Sequence, residues 1–187
     1  MAIYHLTVKP IGRRQGKKAV ACAAYRRATL LKDEGSGLSF DYRAKRGVVH
    51  TELIAPENAP QWAKDLVRLH EENKDSAAEL LWNKVEQREK RVDSRLAREF
   101  EFSLPIELTQ EPSIILAREF IKDQLAAHGM ICDWNVHWDE GNPHVHVLVT
   151  LRHLTEDGFG QCAREWNATD FTVKLRRHWS EYANYHL

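Results

Sequence analysis

The clearest pattern of apolar and polar positions lies between Trp134 and Thr150. β-branched and aromatic residues run on both sides of Gly141-Asn142-Pro143, which predicts a strand, a tight polar turn and a second strand. Side chains alternate faces along a strand, so His144 and His146 point one way and Val145, Val147 and Val149 the other. The first strand then returns His137 to the histidine side. Leu96 to Leu104 alternates in the same manner, with Phe100, Phe102 and Leu104 opposite Glu99, Glu101 and Ser103. Shorter strands are predicted from Ile3 to Val8, ended by Pro10 and Gly12, and from Val48 to Ile54, ended by Pro56 to Pro60.

Helical spacing accounts for much of the rest. Lys18 to Asp33 is rich in alanine and free of Gly and Pro, which favours a helix with Tyr25 in its middle. Tyr25 has small neighbours at helical spacing, Ala21, Cys22, Ala28 and Thr29, and is flanked by Arg26 and Arg27. Further helices are predicted from Gln61 to about Asn73 and from Ser76 to about Val92. Another runs from Gln110, capped by Thr109, to a stop at Gly129, and the last starts near Thr169. Gly35 to Gly47 reads as a flexible polar loop. Strands interleaved with helices but ending in a hairpin predict an α+β fold, a largely antiparallel sheet with helices on one face and a site on the other.

Composition narrows the class. The 187 residues suffice for one core, with 27 basic and 27 acidic residues and no net charge. No apolar run has the length of a membrane span, and the first residues lack the pattern of a signal peptide, so a cytoplasmic protein is expected, with no membrane insertion. Cys22, Cys132 and Cys162 form no C-x-x-C pair, which agrees with a reducing compartment. Charge is unevenly spread. No acid precedes Asp33, whereas Lys9, Arg13, Arg14, Lys17, Lys18, Arg26 and Arg27 all do, a local positive field suited to phosphate backbones. The chain ends inside a helical pattern at Leu187, which suggests the N-terminal part of a longer protein.

His137, His144 and His146 converge from two adjacent strands. Three protein ligands leave coordination positions open for water or substrate, the arrangement of a catalytic metal. Imidazoles suit zinc, iron, nickel and copper; a neighbouring carboxylate or phosphate oxygen would favour manganese or magnesium. Glu99 and Glu101 would reach the metal if their strand lies beside the hairpin. Asp139 is expected in solvent. Tyr4 reads as a core residue and Tyr42 as a loop residue.

The first strand, the helix with Tyr25, Ala97 to Pro105 and the triad His137, His144, His146 together resemble the MobA/MobL family of conjugative relaxases, most of all the N-terminal domains of TraA-type relaxases. That family belongs to the HUH endonucleases, named for a histidine, hydrophobic, histidine run, here His144-Val145-His146. The resemblance implies a five-stranded antiparallel sheet with helices on its faces, and residues 1–187 as one relaxase domain. It implies nicking of a single DNA strand at a plasmid transfer origin, with Tyr25 as the nucleophile that becomes joined to the 5′ phosphate, and later religation. A phenol of pKa about 10 needs a base or a favourable field, for which Arg26, Arg27, Glu101 and Glu99 are candidates. Glu99 or Glu101 could instead orient His137.

One divalent ion is implied, manganese or magnesium in the cell, with zinc or nickel also compatible. Lys9, Arg13, Arg14, Lys17 and Lys18 would follow phosphates, and Phe40 and Tyr42 could stack on bases. Implied partners are single-stranded DNA at the origin, relaxosome accessory proteins and a type IV secretion coupling protein, with a monomer that enters the recipient cell attached to DNA. Two rivals remain at this point: a rolling-circle replication initiator, which usually places its tyrosine after the histidines, and a DNA-binding module with a structural metal. A metallo-hydrolase with H-x-H-x-D is disfavoured, because Leu148 stands at the aspartate position.

Overall fold

The computed structural model describes residues 5–187. In chain order it forms β1 (Leu6–Gly12), α1 (Ala19–Arg27), β2 (Leu30–Lys32), β3 (Ser39–Asp41), β4 (Val48–Ile54), α2 (Gln61–Glu72), α3 (Lys74–Arg88) and β5 (Arg95–Ser103). There follow α4 (Gln110–Gln124), β6 (Cys132–Asp139), β7 (Asn142–Val149), β8 (Arg152–Thr155), β9 (Gly158–Cys162) and α5 (Thr169–His186). Five strands make an antiparallel sheet in the order β1-β5-β7-β6-β4. The expected strand at the N-terminus continues through Pro10 to Gly12, which an edge strand tolerates because the missing N–H can face away from its one neighbour. Ile3 and Tyr4 lie outside the described residues.

The alternation read from the sequence divides the sheet into two faces. Phe100, Phe102, Trp134, Val136, Val145, Val147 and Val149 form the first, under α4 and α5. Its centre is aromatic: Phe102 lies 4.4 Å from Trp179 and 5.4 Å from Phe120, ring centre to ring centre. Each such buried ring contributes on the order of 2 kcal/mol by leaving water, with about 1 kcal/mol more from the edge contacts.

The second face is covered as well. Ile11, Leu53, Ala97 and Leu148 meet Val20, Ala23 and Ala24 of α1 and Ala77, Leu81 and Trp82 of α3. The small side chains of α1 let its backbone sit close to the sheet, which is why the alanine-rich stretch is buried rather than a free surface helix. Helices thus lie on both faces, and the second is not the open one that counting elements suggests.

Three local differences matter for the site. The helix expected to reach Asp33 stops at Arg27, where Ala28 turns left-handed with φ 52°. The segment expected to be a loose loop holds β3, which pairs with β2. Thr109 sits at the start of α4 but makes no capping hydrogen bond, and that helix ends at Gln124, with Gly129 (φ 95°) closing the short 3-10 turn that follows.

Candidate active site

The β6–β7 hairpin turns on Glu140-Gly141, since Asp139 already pairs with Asn142. Gly141 has φ 71°, a conformation that a residue with a Cβ adopts at a cost. The register sets His137 opposite His144 and Asn135 opposite His146, so all three imidazoles share one face. Their ring centres are 4.6 to 5.1 Å apart, and one nitrogen from each falls within 4.8 Å of the others.

One nitrogen of each ring already has a partner. His137 Nε2 meets the Arg26 carbonyl at 2.9 Å, His144 Nδ1 the Asn142 carbonyl at 2.8 Å, and His146 Nδ1 the Glu99 carboxylate at 2.8 Å. Acceptors in these places fix the proton on that nitrogen and leave a lone pair on the other. Burial, then the neighbouring His146 and Lys45, push His137 down to about 3, so its ring is neutral and ready to ligate. The residues present fit a divalent cation.

Glu99 is buried beneath this triad and tied on both oxygens. Arg26 grips it with Nε and Nη2, the latter at 2.8 Å, and His146 shares Oε1. Burial alone would raise its pKa; the hydrogen bonds from His146 and Arg26 override that and hold it at about 2. With both oxygens engaged Glu99 is a poor proton acceptor, and it orients His146. His137 is oriented instead by the helix carbonyl. Glu101 faces the same side, its Oε2 3.8 Å from His146 Nδ1, and is partly open to solvent. Asp139 is exposed, as expected, 3.8 Å from His144 Nδ1.

Tyr25 occupies the last turn of α1, about half exposed. It does not stand alone on a smooth surface. Tyr42 meets its ring edge-on at 5.2 Å, and the Lys45 ammonium lies 3.8 Å from the ring centre while donating to the Tyr25 carbonyl at 3.2 Å. Phe40 is partly buried against the core of the second face. Both rings are thus held against the fold and keep part of their surface open to solvent. The next residue, Arg26, reaches both His137 and Glu99, and so ties the tyrosine's helix to the histidine face.

The basic residues separate into two groups. Lys9, Arg14 and Lys17 are exposed. Arg13 is committed to Glu86 and to the Glu89 carbonyl, and Lys18 to Asp33 at 2.7 Å. Arg27 departs most from expectation. It is buried, bonded to Asp133 at 2.6 Å, to His70 and to the Lys74 carbonyl, so it offers nothing to a phosphate or to Tyr25. Asp133, His70 and Lys45 were not singled out from the sequence. Asp133 had a signal: it shares strand parity with His137, and an inward carboxylate requires a cation.

A family model described as the MobA/MobL family matches residues 17–187. The chain is similar to the Probable conjugal transfer protein TraA of Sinorhizobium fredii, at 44% identity over 86% of this chain and 14% of that protein. It is also 34% identical to the mobilization protein MobL of Acidithiobacillus ferridurans, over 84% of this chain and 45% of the relative. It thus spans less than half the length of these relatives. A solved structure on the molecular basis of vancomycin resistance transfer in Staphylococcus aureus superposes with TM-score 0.86 and 34% identity, covering 100% of this chain and 93% of the other. The conjugative relaxase TrwC in complex with oriT DNA, metal-bound, shares the fold, with TM-score 0.58 at 11% identity over 97% of this chain and 69% of that one.

Proposed function

Because the chain belongs to the MobA/MobL family, we propose that it is the relaxase domain of a conjugative transfer protein and nicks one DNA strand at a plasmid transfer origin through Tyr25. The observation that carries this is Arg26. Its carbonyl binds His137 and its guanidinium binds Glu99, so the residue following the tyrosine is bonded to both the triad and the carboxylate behind it. Such coupling supports a nucleophile that must be positioned against a metal, which a purely structural metal would not require.

His137, His144 and His146 would hold a divalent cation, manganese or magnesium in the cell, which when bound supplies positive charge for a non-bridging phosphate oxygen and the developing transition-state charge. Tyr25 Oη forms a bond to phosphorus, and the bond from phosphorus to the 3′ oxygen breaks. Glu101, a partly exposed carboxylate on this face 3.8 Å from His146 Nδ1, takes the phenolic proton and passes it to the leaving oxygen, giving a 3′ hydroxyl and a 5′ phosphotyrosine. Lys45 adds positive charge beside the phenol and holds its ring. A phosphotyrosine ester resembles the phosphodiester it replaces, so the step runs in reverse without a nucleotide cofactor. Accessory proteins that open the duplex and a coupling protein at the secretion channel complete this reading.

The test is a denaturing gel for covalent protein–DNA adducts on single strands spanning the origin of the parent plasmid. Wild type should give an adduct with manganese or magnesium, lost with chelator and lost in Tyr25→Phe with binding retained. Tight binding without an adduct under any metal would return the chain to a binding module with a structural metal.

A further inference from the structure

The end of the sheet remote from the histidines carries a second concentration of positive charge. There Arg91, Arg95, Arg98 and Arg152 line a cleft of about 300 Å³. It continues past Cys162 into a wider hollow bordered by Arg88 and Arg164. Two of these arginines are neutralised locally, Arg152 by Glu89 and Arg91 by Asp93 at 3.0 Å. Arg88, Arg95, Arg98 and Arg164 have no carboxylate partner among the described residues.

Arg98 is the most telling. It donates through Nη2 to Asn167, while its Nη1 is shielded from water and has no hydrogen-bond partner. Burial and the charge of Arg95 both push this guanidinium below its ordinary pKa. Holding a shielded, half-satisfied cation next to another cation is unfavourable, and an anion in the cleft would offset that charge.

The charge also has continuity. Gly12 pairs with Arg95, so the turn carrying exposed Arg14 and Lys17 begins beside the cleft and leads into α1, the helix of Tyr25. Along β5 the cleft lies about 20 Å from the histidines, counting about 3.4 Å for each residue from Arg95 to Glu101, which pairs with His146. Arginines spread along two joined hollows, rather than converging on one point, match a chain of phosphates better than a single small anion.

We infer that this cleft is a second phosphodiester-binding site, which grips the backbone of the same DNA strand several nucleotides from the bond that Tyr25 attacks. It rests on the relaxase reading given above. Its role is to fix how far the strand extends beyond the cut, through charge and not through base identity.

Cys162 lines both hollows and is exposed, so its alkylation rate reports occupancy without reference to cleavage. In a Cys22→Ser background, a single strand extending well beyond the nick should slow alkylation of Cys162, and one that covers only the nick should not. The double variant Arg95→Gln, Arg164→Gln should bind the long strand several-fold more weakly. Its salt slope should fall by about 1.4, at roughly 0.7 for each lost phosphate contact with a single strand. Adduct formation on the short strand should be unchanged. The inference is overturned if the long strand leaves the Cys162 rate unchanged, or if inorganic phosphate alone protects equally well, which would mark a free-anion site. Absence of an adduct from wild type on the short strand counts against the Tyr25 reading instead, so the two failures are told apart.

Discussion

Arg26 and Arg27 are neighbours in the chain and serve opposite ends. Arg27 points under α1 into a closed network in which Asp133 also accepts from Trp82 Nε1 at 2.8 Å and His70 Nε2 accepts from the guanidinium at 2.8 Å. Arg26 points along the sheet into a network that opens onto the triad. Both are arginine–carboxylate pairs, yet only the second leaves imidazole nitrogens facing space. The first fixes the helix on the sheet; the second tunes what the helix delivers. A buried pair is costly to break and gives little beyond geometry, whereas a half-open pair can pass its orientation to a ligand.

Cutting the closed network should have the greatest consequence. Asp133→Ala leaves Arg27 buried without its partner and should lower stability by about 3–5 kcal/mol in urea unfolding. Metal affinity of the folded fraction should be retained, and a variant of normal stability would erase the contrast. In the open network Glu99→Gln should weaken metal binding about 10–100-fold by calorimetry. Its loss of stability should be smaller than that of Asp133→Ala, because the glutamine amide keeps a hydrogen-bonding group beside Arg26 and His146 where alanine leaves none beside Arg27.

Acid should probe the closed network through His70. Burial and then the Arg27 charge push His70 from 6.5 down to about 4, so the unfolded chain takes the proton first as pH falls. Its contribution to stability is whole above pH 6.5 and is lost as pH falls toward 4. In chelated protein His137 titrates in an overlapping range, so the informative quantity is the difference between proteins: His70→Gln should show a shallower fall of the urea midpoint across that window. The mildest change is Lys45→Met. It removes a cation–ring contact of about 0.5–1 kcal/mol, and adduct formation should slow only a few-fold.

The strands that carry the histidines and glutamates were legible because a period of two leaves no choice of face once one side is apolar. The division of labour between the two arginines was not. Successive residues on a helix point in different directions, and identical side chains carry no mark of which one faces the sheet. The end of α1 was hidden for a related reason, since the left-handed position falls on Ala28, where neither Gly nor Pro announces it. β2 and β3 are three residues each, too short for alternation to register. Their pairing is nonetheless what brings Tyr42 back onto Tyr25. The arginine cleft draws its residues from α3 and the turn after it, β5, the β8–β9 hairpin and the short turn that follows, so no single stretch of sequence displays it.

The two-residue turn of the β6–β7 hairpin also has a meaning for the time course of folding. His137 and His144 face each other across a short loop, so the ligand set assembles as soon as that hairpin closes. Arg26 meets His137 across 111 positions, and a contact of such separation must wait for the intervening chain to settle. During synthesis Tyr25 leaves the ribosome long before its triad exists. On the reading proposed above, a nascent or partly unfolded molecule carries the tyrosine without the triad beside it, and cutting of DNA must await the contact between Arg26 and His137.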